Sequence, residues 1–244
     1  MANFTTHIAT GIVTGGMLST LAMAASAVTP TEVMTLTLTC GLGAVLPDID
    51  LQKSRASQAM FSGLGVFFAF AMLFNWSMAL SIAEMWILWV GTYFVVRYLG
   101  HNLFHRISVH RGVFHSLIAA VFFALVTAIA YQRLFAVADT LAWLAAAFMF
   151  VGFVSHLVLD EIYSVDVFNE RIKASFGTAF KLFDGGHPLA SAGMAASIVG
   201  VFMLTPPFDG FVKTFGSGET WTGLGQRLLP EHAWFGFDLK SATA

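Results

Sequence analysis

Residues 141–163 read LAWLAAAFMFVGFVSHLVLDEIY. The stretch is apolar without a break as far as Val154, and then admits Ser155, His156 and Asp160 while leucines and valines continue around them. It matches the roughly 20 residues that cross a bilayer as a helix. It also lacks the two-residue alternation of a barrel strand. In lipid every backbone N–H and C=O must be satisfied inside the segment, so a helix is the only sensible reading. His156 and Asp160, spaced i, i+4, then share one helical face, as two ligands of one metal ion would.

Further apolar runs lie on both sides of this one, at about 8–28, 33–46, 60–78, 80–97, 115–133 and 189–206. With 141–163 they predict an all-α, polytopic membrane bundle of about seven transmembrane or re-entrant helices over residues 1–206. The run 33–46 is short for a crossing and suits a tilted, re-entrant or buried helix. The small-residue stretch AMAASA after the first run resembles a signal-peptide cleavage site, but the leader MANFTTH has no lysine or arginine, so the first run is expected to be retained. Residues 207–244 mix Pro, Gly and aromatics and are expected to form an interfacial or loosely folded tail.

Composition agrees. The chain has 244 residues, 57% hydrophobic and 11% charged, against about 25% charged in an ordinary soluble domain. A net charge of −2 and a pI near 6.4 give no basic footprint, which argues against direct nucleic-acid binding. Cys40 is the single cysteine and reads as a small buried apolar residue. If each run crosses, Lys53, Arg55, Arg97, Arg106, Arg111, Arg171, Lys173 and Lys181 share one side, while the short loops opposite hold Arg133 alone. The positive-inside rule places the first side in the cytoplasm.

The polar residues fall on that same side. His7 opens the first run; Asp48 and Asp50 follow the second in LPDID; His110 and His115 flank the start of the fifth; His156 and Asp160 close the sixth. Histidine mixed with aspartate is a ligand set for zinc, and also for manganese or iron. Seven candidates exceed the four of one structural zinc, so one or two ions are expected at the cytoplasmic interface. Two ions sharing a carboxylate would acidify a bound water and clamp a phosphoryl or acyl oxygen, which is hydrolase chemistry. Arg111, between two of these histidines, is a candidate phosphate clamp, and Glu161 a candidate acid or base.

Other groups are open. His101 and His105 form a further i, i+4 pair that a solvated helix end would hold equally well. Asp184 and His187 in FDGGHP could enter from a loop, whereas His232 lies in the tail on the wrong side. A rival reading is a proton- or metal-coupled transporter built on the same His/Asp cluster. Against it, the candidates crowd one interface and no proline-broken pair of helices is evident at mid-depth.

LPDIDLQKS, HRGVFHS and SHLVLD, preceded by His7, resemble the signature of the YdjM-like family, described as LexA-binding, inner-membrane-associated metal-dependent hydrolases. The likeness spans roughly residues 1–190. It implies a bacterial inner-membrane location and a metal site made of His7, Asp48, Asp50, His110, His115, His156 and Asp160. Phe114 stands where many members carry threonine, and HNLFHR lies outside the core pattern, leaving His101 and His105 without family support. The order of ligands is loosely similar to that of the all-helical zinc phospholipase C group, which tilts the expected substrate towards phosphate esters or lipid headgroups. Nothing in the residues supports the LexA partner that the family description carries.

Overall fold

The computed structural model describes residues 3–50, 54–76, 80–107, 112–166, 171–172 and 180–229. Helix α1 (Phe4–Ala24) is started by the Asn3 side chain, which accepts from the Thr6 N–H at 2.8 Å. Helix α2 (Pro30–Gly43) begins with a Thr29/Glu32 capping box and with Pro30, whose missing N–H costs nothing in the first turn. A 3-10 turn, Leu46–Asp50, leads to α3 (Arg55–Trp76). Then α4 (Ile82–Phe94), a π-helical stretch (Val95–Gly100) and α5 (His101–Ile107) follow as one continuous rod. The hairpin of α6 (Leu117–Phe135) and α7 (Asp139–Ile162) turns at Ala136, a non-glycine residue at φ 51°. Beyond it come α8 (Pro188–Phe202), α9 (Asp209–Phe215) and α10 (Gly218–Arg227).

At the centre, α1 and α2 pack antiparallel on each other and both rest on α7. Small residues permit it. A Cβ on Gly11 would sit 2.5 Å from Ala44 Cβ, one on Gly43 would strike the Met149 carbonyl, and one on Gly152 the Cys40 carbonyl. Lipid tails are as apolar as leucine, so burial from water does not drive helices together in a membrane; close backbone approach and dispersion do. On the other side of α7, Ala119 and Ala120 of α6 meet Met149, Phe153 and Leu157, with Leu46 of the 3-10 turn completing the cluster. Helix α8 lies on α6, and α3 carries α4 outward.

The expectation of an all-helical fold holds among the described residues, apart from a two-residue antiparallel ladder that pairs Val165 with Ile172 and Asp166 with Arg171. The expected helix count narrows. Phe4–Ala24, Ile82–Arg106, Leu117–Phe135 and Asp139–Ile162 are long and apolar enough to cross a membrane. Ser57–Phe70 and Pro188–Phe202 are apolar but shorter, and the 14 residues of α2 reach only about 21 Å. Apolar runs read from composition overlap helices that end sooner because turns and caps cut them.

Among the described residues, the helix ends bearing candidate ligands lie together. His7 begins α1, Asp48 follows α2, His115 precedes α6, and His156 and Asp160 end α7. At the far end the tail folds back. Trp143 Nε1–H donates to the Pro206 and Pro207 carbonyls at 3.0 and 3.1 Å, and Arg227 donates to the Ala24 carbonyl at 3.0 Å.

Candidate metal centre

The centre is built on α7. His156 faces the α1–α2 pair, and its Nδ1–H donates to the Ala44 carbonyl oxygen at 2.8 Å. A carbonyl only accepts, so this bond fixes the tautomer and leaves the Nε2 lone pair directed away from it. One turn on, Asp160 places Oδ2 3.8 Å from His156 Nε2 and Oδ1 3.3 Å from His7 Nε2. The His7 ring stacks on the His156 ring with centroids 3.7 Å apart. Gly11, one turn beyond His7 on the same face, allows α1 to come that close.

A second group shares His156. The 3-10 turn delivers Asp48, whose Oδ1 lies 3.7 Å from both His156 Nε2 and His115 Nε2. His115 is held by the turn ahead of α6, where its N–H donates to the Gly112 carbonyl at 3.1 Å. Two triads result, His7 with His156 and Asp160, and Asp48 with His115 and His156; in each, one atom per residue lies within 4.8 Å of the others. Ligands on a single zinc at about 2.0–2.1 Å are separated by roughly 3.3 Å, close to the distances seen here.

Burial makes the arrangement costly unless it is compensated. His7 is 1% exposed, His115 and His156 0%, and Asp160 2%. Among the described residues neither ring nitrogen of His7, nor Nε2 of His156, has a hydrogen-bond partner. Buried polar atoms without partners are rare, and each one asks for an unseen occupant. A cation among these atoms would take one nitrogen of His7 and Nε2 of His156 together.

Five of the seven expected ligands are therefore gathered at one point. Asp50 ends the 3-10 turn, but its side chain lies outside the described residues, as do His110 and Arg111 entirely. Glu161, the candidate acid or base, is half-buried beside Asp160, and its carbonyl accepts from the Ser164 hydroxyl. His101 and His105 stand apart from the two triads: their rings lie 4.4 Å apart, and His105 Nε2 shares a 2.9 Å hydrogen bond with the buried Ser57 hydroxyl. Asp184 and His187 pair with each other on the loop before α8. Burial raises the Asp184 carboxyl, but hydrogen bonds from Lys181 and His187 more than offset it and hold the group below its ordinary range.

The family comparison bears on this set directly, because the model described as YdjM inner membrane protein matches residues 1–168. The chain belongs to the YdjM family. All seven expected ligands fall within the YdjM match, which ends soon after Asp160 and short of the residue 190 that the motifs alone suggested. Searches of curated proteins and of solved structures find no match.

The sequence reading missed the Ala44 carbonyl and the stripe of small residues that seats the site. A signal was present for the second: His7, Gly11, Gly15 and Ser19 recur every fourth residue, a small-residue face of the kind that lets membrane helices touch. The first is a backbone group at residue 44 and carries no sequence signal.

Proposed function

We propose that this YdjM protein is an inner-membrane, metal-dependent hydrolase whose ion, zinc by preference and manganese or iron by ligand type, is held by His7, Asp48, His115, His156 and Asp160. The carrying observation is the shared imidazole: both triads converge on His156 Nε2 while Nδ1 is committed to Ala44. One imidazole nitrogen has one lone pair, so His156 serves one ion. A second ion would have to take His115 and Asp48 with a ligand from beyond the described residues.

A divalent ion held by such a set supplies Lewis acidity for a water and for a phosphoryl or acyl oxygen at neutral pH. The chain's own residues do the rest. His156 is held by Ala44, Asp160 by its place one turn on, and His7 by its stack on His156, so the donors are positioned before any substrate arrives. Asp48, partly exposed where its partners are buried, marks the side from which substrate enters. By the lysine and arginine distribution this side is cytoplasmic, where phosphate esters and lipid headgroups are within reach. The transporter reading is less favoured: towards the far end, α7 continues from His156 into Phe153, Met149, Phe148 and Leu144, all buried and apolar.

Metal analysis of the detergent-purified chain tests the reading. Zinc bound by the wild type should be lost in His156→Ala and reduced in Asp48→Ala, and phosphodiester turnover should fall with it. Equal metal content in all three proteins would refute the metal centre. Retained metal with no turnover of any phosphate or carboxylic ester would refute the hydrolase.

A further inference from the structure

The loop between Phe180 and His187, beyond the residues of the family match, carries a second arrangement of ionisable groups. His187 Nδ1–H donates to Asp184 Oδ2 at 2.7 Å. Asp184 Oδ1 accepts from Lys181 Nζ at 3.0 Å and from the Gly186 N–H at 3.3 Å. Its backbone is also fixed: the Asp184 N–H donates to Ser191 Oγ at 3.1 Å, and the Ser191 hydroxyl returns a bond to the Asp184 carbonyl at 2.9 Å. The carboxylate is thus held, nearly buried, by three donors, whereas the imidazole it orients is 50% exposed. A histidine whose Nδ1–H is engaged by a fixed carboxylate has Nε2 as its working nitrogen.

The loop that carries the dyad is fastened to the first turn of α6, which follows His115 in the chain. The Leu117 N–H donates to the Lys181 carbonyl at 2.9 Å and the Ile118 N–H to the Leu182 carbonyl at 3.2 Å. These are the first N–H groups of α6, directly after His115 and Ser116, and the loop satisfies them where no helical carbonyl can. Helix α8, which starts at Pro188, runs along α6, and its Met194 packs on the cluster that contains Leu46 and Leu157, the second neighbour of Asp48 and the neighbour of His156. Among the described residues, Lys181 and Asp184 are the charged groups facing His187; the first turns of α6 and α8 hold none.

Building on the hydrolase reading, we propose that His187 is the catalytic acid that protonates the leaving oxygen, with Asp184 as its positioning residue. Water attacks phosphorus, the bond from phosphorus to the leaving oxygen breaks with its electron pair on oxygen, and the proton on His187 Nε2 moves to that oxygen. The proton lost by the attacking water passes to bulk, from which His187 is recharged. A diester and water become an alcohol and a monoester.

Leaving groups separate this role from a structural one, since a good leaving group departs without a proton and a poor one does not. The experiment uses the full-length, zinc-loaded protein in detergent, with bis(p-nitrophenyl) phosphate and methyl phenyl phosphate as probes. His187→Asn should lose about 100-fold in turnover of the poor leaving group and little with the good one. Asp184→Asn should show the same pattern at smaller size, and both variants should keep wild-type zinc content. Equal losses on both esters, or no loss, would overturn the assignment alone. Loss of zinc in His187→Asn would overturn it by making the residue a ligand. A zinc-loaded wild type that hydrolyses neither ester would overturn this role, and the hydrolase reading falls with it only when no other phosphate or carboxylic ester is turned over.

Discussion

Helix α7 and the α4–α5 rod are both apolar enough to span a membrane, yet 56% of the apolar window of α7 is buried inside the protein and none of that in Ile82–Arg106. The α7 window is the more apolar of the two, but what lets neighbouring helices close on it is side-chain size. Helix α7 offers Ala142, Ala145, Ala146 and Gly152 to its neighbours, which lets α1 and α2 approach at backbone distance. The rod instead carries Trp89, Tyr93, Phe94 and Tyr98, whose rings meet along its own length, and Trp89 also meets Phe70 of α3. The comparison teaches where function can be placed: donors must be held within a few tenths of an ångström, and the tightly packed helices can do that. His156 and Asp160 lie on the buried helix, whereas His101 and His105, equally spaced, lie on the exposed one.

The largest effect should come from filling the closest contact. Gly152→Leu drives side-chain atoms into the Cys40 carbonyl and should abolish the folded monomer in size-exclusion chromatography, while Gly91→Leu, with open space around it, should change the melting temperature by no more than a degree or two. A Gly152→Leu protein that folds normally would break the distinction between the two regions. Next, His101→Ala should keep its metal where His156→Ala loses it; equal losses would mean that the His101/His105 pair belongs to the centre.

A smaller effect is expected from Tyr131→Phe, which removes the hydrogen bond joining α6 to Thr39 of α2. Interhelical bonds of this kind contribute about 0.6 kcal/mol, so melting should fall by about 1–3 °C. The smallest concerns acid. Because the folded protein holds Asp184 below its ordinary range, that carboxylate adds stability above about pH 4, and the contribution is lost as pH falls through the lower folded value. Asp184→Asn should therefore melt slightly earlier than the wild type at pH 7, with the gap narrowing as pH falls below the ordinary carboxylate range. A gap that does not change with pH would assign the effect to packing.

Much of the site was legible before any coordinates, since an ionisable residue in an apolar run is expensive and stands out. His7, Asp48, His115, His156 and Asp160 were read that way, and so was the shared end of the helices that carry them. The number of spans was less legible, because Pro188–Phe202 is apolar throughout and falls short of a crossing in length, where a cap or turn stops it. Nor could the i, i+4 rule tell His156/Asp160 from His101/His105. It fixes a face of a helix and leaves open what that face meets.

The sequence by itself determined a helical membrane protein with imidazoles and carboxylates drawn to one end, because composition and spacing act locally along the chain. Tertiary structure alone decided that His156 is common to both groups of ligands and that the Ala44 carbonyl sets its tautomer. Those outcomes depend on distances between residues far apart in sequence, which are fixed only when glycine and alanine let the helices meet.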